Sequence, residues 1–337
     1  MTTPKSVALR PIDLLSPEEE AQLRERSDVI GVLLVLHAWG VILAAMLLFV
    51  VWPNPFSYLL GCVVIGSRQL GLAILMHDAA HRLLCAHPKL NDFLGSWFCG
   101  DPVGADIGLY RPYHLKHHRF TQQREDPDWG LSAHFPIHRN SLWRKVLRDV
   151  LGVTGYQRRR IQFQSAMQAE AGSTGPERFL SRWKRLVQAE RRFLLTNLVL
   201  WALLSLAGHP WLYLFLWVVP LLTWYQLVSR IRNIAEHAVV GNNQDALRNT
   251  RTTYTHLIGR ALWAPYWVNY HLEHHLLIFT PCWKLPQAHR VLGEKGLHPN
   301  MEIAKSYWEV LRRATSNPDD APKKGSGGSK KSSASII

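Results

Sequence analysis

Two long stretches of the chain contain no Asp, Glu, Lys or Arg, and they frame everything between them. The first runs from Val29 to Ser67 with His37 as its one imidazole, and the second from Phe193 to Ser229 with His209. Each is too long for one membrane helix and suits two, because a span needs roughly 20 apolar residues. Helix-breaking turns divide both stretches, at Trp52-Pro53-Asn54-Pro55 and at Gly208-His209-Pro210. The pattern predicts an all-α integral membrane protein with four spans, at about 30–52, 56–76, 193–208 and 211–229, paired as two hairpins. The third is short and gains length if Arg191 and Arg192 snorkel.

The polar segments have their own patterns. Ser16-Pro17-Glu18-Glu19-Glu20 reads as a cap, a first-turn proline and acidic first-turn residues for a short helix in a lead-in covering 1–28. That lead-in has no apolar run, which argues against a signal peptide. Phe93 to Tyr110 is apolar but broken by glycines, Pro102 and aspartates, as in an interfacial or re-entrant element. Residues 140–192 mix Trp, Leu and Phe with dense Arg and Lys, the composition of amphipathic helices on a membrane surface, with a loop at 171–176. Leu257 to Tyr270 is a second short apolar stretch, interrupted by Arg260 and Pro265. The last segment, 316–337, is Ser, Gly, Lys, Asp and Pro and is expected to be a disordered basic tail after a main unit of 29–315.

Charge sets the orientation. The hairpin turns carry no Lys or Arg, whereas residues 77–192 hold 19 and residues 230–337 hold 15. The positive-inside rule therefore places both termini and both large polar regions in the cytoplasm. The net charge of +14 is accounted for by topology and anionic headgroups rather than by nucleic acid, since the basic residues are interleaved with His, Trp and membrane segments and no recognisable reading module appears. Cys62, Cys85, Cys99 and Cys282 have no paired metal spacing and are expected to be reduced thiols. Arg68 and Gln69 lie within the second span. They face the bundle, lie in a helix shifted toward the cytoplasm, or line a substrate channel.

Histidine supplies the candidate chemistry. Of 17 histidines, His77 and His81 follow the second span, His114, His117 and His118 form His-Leu-Lys-His-His, and His271, His274 and His275 form His-Leu-Glu-His-His. Spacings of three and four put each cluster on one helix face. Eight imidazoles exceed one mononuclear site and match two adjacent metal ions, which imidazole alone leaves open among iron, zinc and copper. The absence of a Cys pattern argues against structural zinc and iron–sulfur sites. Beyond the fourth span, Asn233 and His237 share a face, making His237 a ninth candidate. Asp78, Glu236 and Glu273 neighbour these histidines, and each would brace a ring from another segment. His134, His138 and His256 are not expected to touch the metal, Asp126 and Asp128 read as a closing loop, Asn269 and Tyr270 as cavity-shaping, and Arg111-Pro112 as the start of the second-box helix.

These motifs resemble the membrane fatty acid desaturase family. The match is His-x3-His at His77 and His81, His-x2-His-His at 114–118, and His-x2-His-His at 271–275, in order and in position relative to two hydrophobic hairpins. The resemblance implies a cytoplasmic helical cap carrying a di-iron site, with nine histidine ligands and Asn233 reaching one iron through water. It implies two iron ions, O2 as co-substrate, and electrons from a separate donor to remove hydrogens from adjacent carbons of a fatty-acyl chain. The third box begins with His271 rather than glutamine, and no His-Pro-Gly-Gly haem motif occurs, so the donor is expected to be a separate ferredoxin, rubredoxin or cytochrome b5. An acyl lipid is the expected substrate and a bacterial inner membrane the expected location. Hydroxylation or ketolation of a carotenoid or other lipid is the enzymatic alternative. A non-catalytic metal-binding membrane protein would tolerate loss of one histidine. A transporter would need its polar ligands near mid-membrane, not at the span ends.

Overall fold

The computed structural model describes residues 11–168, 179–241 and 244–316; the 171–176 loop and nearly all of the 316–337 tail lie outside them. The lead-in helix α1 (Pro17–Arg24) carries the expected cap, with Ser16 and Glu19 in a reciprocal capping box. Helix α2 (Asp28–Val51) starts at Ser27, whose hydroxyl accepts from the Ile30 amide. After Trp52, Asn54 caps α3 (Pro55–Ala80), with Pro55 in its first turn. The two pack along each other. α3 outruns its expected end at 76 and carries His77 on its last turn, with His81 as C-cap.

Past α3, a π-helical turn at Leu94–Gly100 and a short turn at Asp101–Val103 pack back onto it, with Cys99 and Asp101 buried. The second-box helix α4 spans Ile107–Phe120. It does not begin at Arg111-Pro112, because Asp106 caps it by accepting from the Gly108 and Leu109 amides, and Pro112 lies inside. Helices α5 (Arg139–Val150) and α6 (Val153–Met167) follow; Trp143, Leu147 and Leu151 lie exposed along one side of α5, as an amphipathic surface helix requires.

Helix α7 (Phe179–Leu206) is long enough to span, but its uncharged run begins only at Phe193. Arg192, expected near the membrane edge, pairs with Asp101 at 3.1 Å and Asp106 at 2.6 Å. A turn with Gly208 at φ 83° leads into α8 (Trp211–His237). α8 widens into π-helix at Leu214–Val218, just ahead of Pro220, and kinks at Thr223. It lies on α3 so closely that a Cβ on Gly66 would meet Trp224 Cβ at 2.9 Å. Among the described residues, three helices are long and apolar enough to cross a membrane: α2, α3 and α8. The protein is thus an all-α, multi-pass membrane protein with a helical cap.

The cap holds strand β1 (Thr252–Thr253), α9 (Leu257–Leu262), α10 (His271–Leu276), α11 (Leu285–Glu294), strand β2 (Ile303–Ala304) and α12 (Tyr307–Ala314). The two-residue strands pair in parallel. Between α9 and α10, Tyr266 and Trp267 sit in the left-handed region at φ 52° and 58°. The four cysteines are buried and free.

Candidate metal centre

The end of α3, the middle of α4, the end of α8 and all of α10 converge on one buried volume. Two arginines fasten the ends that deliver histidines. Arg111 donates to the Ala80 carbonyl at 2.8 Å and the Ala79 carbonyl at 3.2 Å, closing α3. Arg251, 1% exposed, donates to the Ala238 carbonyl at 2.9 Å and the Val239 carbonyl at 2.6 Å, closing α8. A cation satisfies the orphan carbonyls of a helix C-terminus and complements its dipole.

The imidazoles gather in two groups. His77, His81, His114, His118 and His274 form one, and His117, His237, His271 and His275 the other, with each group's ligand atoms within 4.8 Å of one another. The structure therefore brings together all nine histidines singled out in the sequence. Within and between the segments, Nε2 atoms face each other: His114 to His118 at 2.9 Å, His118 to His274 at 3.0 Å, His237 to His271 at 2.9 Å, and His271 to His275 at 3.1 Å. Nε2 of His77 and of His81 are buried without a partner.

Facing lone pairs repel unless a proton or a metal ion lies between them, and a ring can share its one proton with only one neighbour. At a metal–nitrogen distance of about 2.1 Å, ligands at right angles lie about 3.0 Å apart and tetrahedral ones about 3.4 Å apart. The observed spacings match right angles, and five donors exceed a tetrahedral shell. The residues present fit two adjacent ions of a di-iron-type site. Burial, then repulsion by neighbouring imidazoles, holds His114, His118, His271, His274 and His275 well below the usual histidine range, keeping them as neutral ligands.

The outer partners are unevenly placed. Asp126 Oδ1 accepts from His117 Nδ1 at 2.8 Å, and Thr121 Oγ1 lies 3.2 Å from His275 Nδ1. Gln122 donates to the His237 carbonyl at 2.7 Å. Glu236 reaches His271 Nδ1 at 3.6 Å while binding Arg232 at 2.6 Å. Asp78 holds the Cys282 amide at 2.9 Å, and its nearest ring is that of the adjoining His77, at 3.9 Å. Glu273 accepts from His289 at 2.6 Å and from the Thr252 hydroxyl; His289 is outside both groups. Asn233 sits half-buried one turn before His237.

Other candidates fall elsewhere. His256 caps α9, its Nδ1 accepting from the Gly259 amide at 3.3 Å, and His138 caps α5. Asn269 ties to the Thr253 carbonyl. A small cavity at the histidines is lined by Ile74, Asp78, Tyr266, Val268, Cys282 and Leu285. Gln69 donates to the Trp217 carbonyl at 2.8 Å between α3 and α8. Arg68 lines a separate cleft. Sequence reading missed Asp126, Thr121 and Gln122 as braces; the only signal was their nearness to the second box.

Residues 53–305 match the family model described as Fatty acid desaturase. The chain is similar to a dihydrorhizobitoxine desaturase of Bradyrhizobium elkanii, 29% identical over 292 residues that cover 82% of this chain and 79% of that one. A shorter match, 30% identical over 129 residues, is to a beta-carotene 4-ketolase of Protosiphon botryoides and covers 35% of this chain and 32% of that one.

Proposed function

The chain belongs to the membrane fatty acid desaturase family, and from that premise we propose that it desaturates a fatty-acyl chain, carried as an acyl lipid, with O2 at a pair of iron ions. The observation that carries this is the convergence of nine imidazoles into a group of five and a group of four. Such a donor set suits oxidation of an unactivated C–H bond, which offers no group for ordinary acid–base catalysis. When bound, the irons would supply activation of O2, which two hydrogens from the substrate, two electrons from a donor and two protons from solvent would reduce to two waters.

The chain's own residues orient and exclude. Asp126 and Thr121 engage Nδ1 of His117 and His275, so that Nε2 of each ring is directed to the metal. Ile74, Val268 and Leu285 give the small cavity beside the histidines an apolar wall, which favours a hydrocarbon over water on that side. Asn233 would reach one of the irons through a water molecule. The electron donor is a separate ferredoxin, rubredoxin or cytochrome b5, attracted by the basic cytoplasmic face. In this reading the protein has four spans in two hairpins, residues 29–315 form the catalytic unit, and both termini and the metal site face the cytoplasm of a bacterial inner membrane.

The second reading, ketolation or hydroxylation of a carotenoid, is favoured by the similarity to a beta-carotene 4-ketolase. Desaturation ranks first because the similarity to a desaturase runs over 82% of the chain rather than 35%. Mass spectrometry of lipids and pigments from a desaturase-poor host expressing wild type or His274→Ala separates the two. A new unsaturated acyl species with wild type alone is the expected result. An unchanged acyl profile with an oxidised carotenoid would replace this reading by the second.

A further inference from the structure

A cleft of about 610 Å³ opens between α2, α3 and the segment from α9 to Trp267, within the size range of small-molecule sites. Its walls are mostly apolar, with Leu34, Val41, Val64 and Leu262 among them, but Arg68 and Arg260 also line it. Arg68 is 6% exposed. Its guanidinium donates to the Ala261 carbonyl and lies 5.6 Å from the centre of the Tyr266 ring, while that of Arg260 lies over Trp267. Neither is paired with a carboxylate among the described residues. A guanidinium in an apolar setting without a counter-charge is costly, and an occupant carrying a negative charge would offset that cost.

Tyr266 lines both this cleft and the small cavity at the histidines. Its left-handed backbone turns the ring inward, and its hydroxyl lies 3.1 Å from His37 Nδ1 and 3.3 Å from the Leu34 carbonyl. Gly71 makes the space for it, since a Cβ there would meet the ring at 2.7 Å. One side chain is therefore the partition between the two volumes. Arg68 and His77 are nine residues apart on α3, about 13 Å at the helical rise.

We propose that this cleft binds the substrate, with Arg68 and Arg260 taking an anionic oxygen group, a carboxylate or a phosphate, and Tyr266 dividing that group from the carbons presented to the histidines. The inference rests on the desaturase reading only in taking the histidine groups as the place of oxidation. It makes the substrate an anionic amphiphile whose charged end lies many bonds from the carbons oxidised.

Binding can be read without turnover. Iron-loaded full-length protein, kept without an electron donor, is titrated with fluorescent cis-parinaric acid, which is then displaced by palmitate, hexadecyl lysophosphatidate or hexadecanol. Palmitate or lysophosphatidate should compete at least about tenfold better than hexadecanol, the scale of one hydrogen bond to a charged group. Whichever anion competes better identifies the source as free acid or phospholipid. Arg68→Gln and Arg260→Gln should abolish the preference, Arg68→Lys should keep part of it, and Val64→Trp should block all ligands by filling the cleft. Equal competition by hexadecanol and both anions would overturn the proposal. So would an unchanged preference in the two glutamine variants at wild-type iron content. An anion preference in a protein that forms no oxidised product in any lipid would leave the cleft assigned and remove the desaturase reading.

Discussion

The two histidine groups differ in how they are built. The group of five has the larger donor set, drawn from α3, α4 and α10, yet its nearest carboxylate to a ring nitrogen is Asp78 at 3.9 Å from His77. The group of four has fewer donors but is braced from outside by Asp126, Thr121 and Glu236. Donor number would hold an ion in the first group, and fixed tautomers an ion in the second. The braces come from the loop after α4 and from α8, so the second site depends on outer contacts to its rings in addition to the convergence of helices that both sites need.

The largest expected effect comes from removing a donor. His274→Ala should abolish turnover and lower iron content, with the loss falling first on the five-histidine site. If iron and activity both stayed near wild type, His274 would not be a ligand. Acidification comes next. His114 and His274 are held well below the free value of 6.5, so below about pH 6.5 the unfolded chain binds more protons than the fold. Stability of the metal-free protein should therefore fall as pH drops through that range, and protons should also compete for the ligands. Thermal unfolding and iron retention between pH 8 and pH 5 check this; a flat profile would contradict it.

Two substitutions sharpen the contrast between the groups. Asp126→Asn should cost about 10- to 100-fold in activity or iron affinity, the usual scale for an outer brace, and should affect the four-histidine site. Asp78→Asn should have a smaller effect on iron, because Asp78 holds the Cys282 amide rather than a ring in another segment. Equal effects of the two, read by iron titration, would erase the distinction.

Much of this arrangement is legible along the chain because it is local. Spacings of three and four report helix faces, and Ser16, Asn54 and Pro55 sit where caps belong. The parts that escape are those made at a distance. Arg111 reads as the first residue of a helix, yet it closes the end of α3, while Asp106 caps α4. Arg251 closes α8 across 13 residues of chain to Ala238, with no periodicity to announce it. Glu273 resembles a brace by position, but its partner is His289. Arg68 and Gln69, adjacent in sequence, separate in space: one lines the cleft and the other ties α3 to α8.

The most direct test of the central claim is metal analysis with Mössbauer spectroscopy on purified full-length protein grown in 57Fe. The account predicts two irons per chain in two distinguishable nitrogen-rich environments. One iron per chain, or zinc in its place with full activity retained, would contradict it.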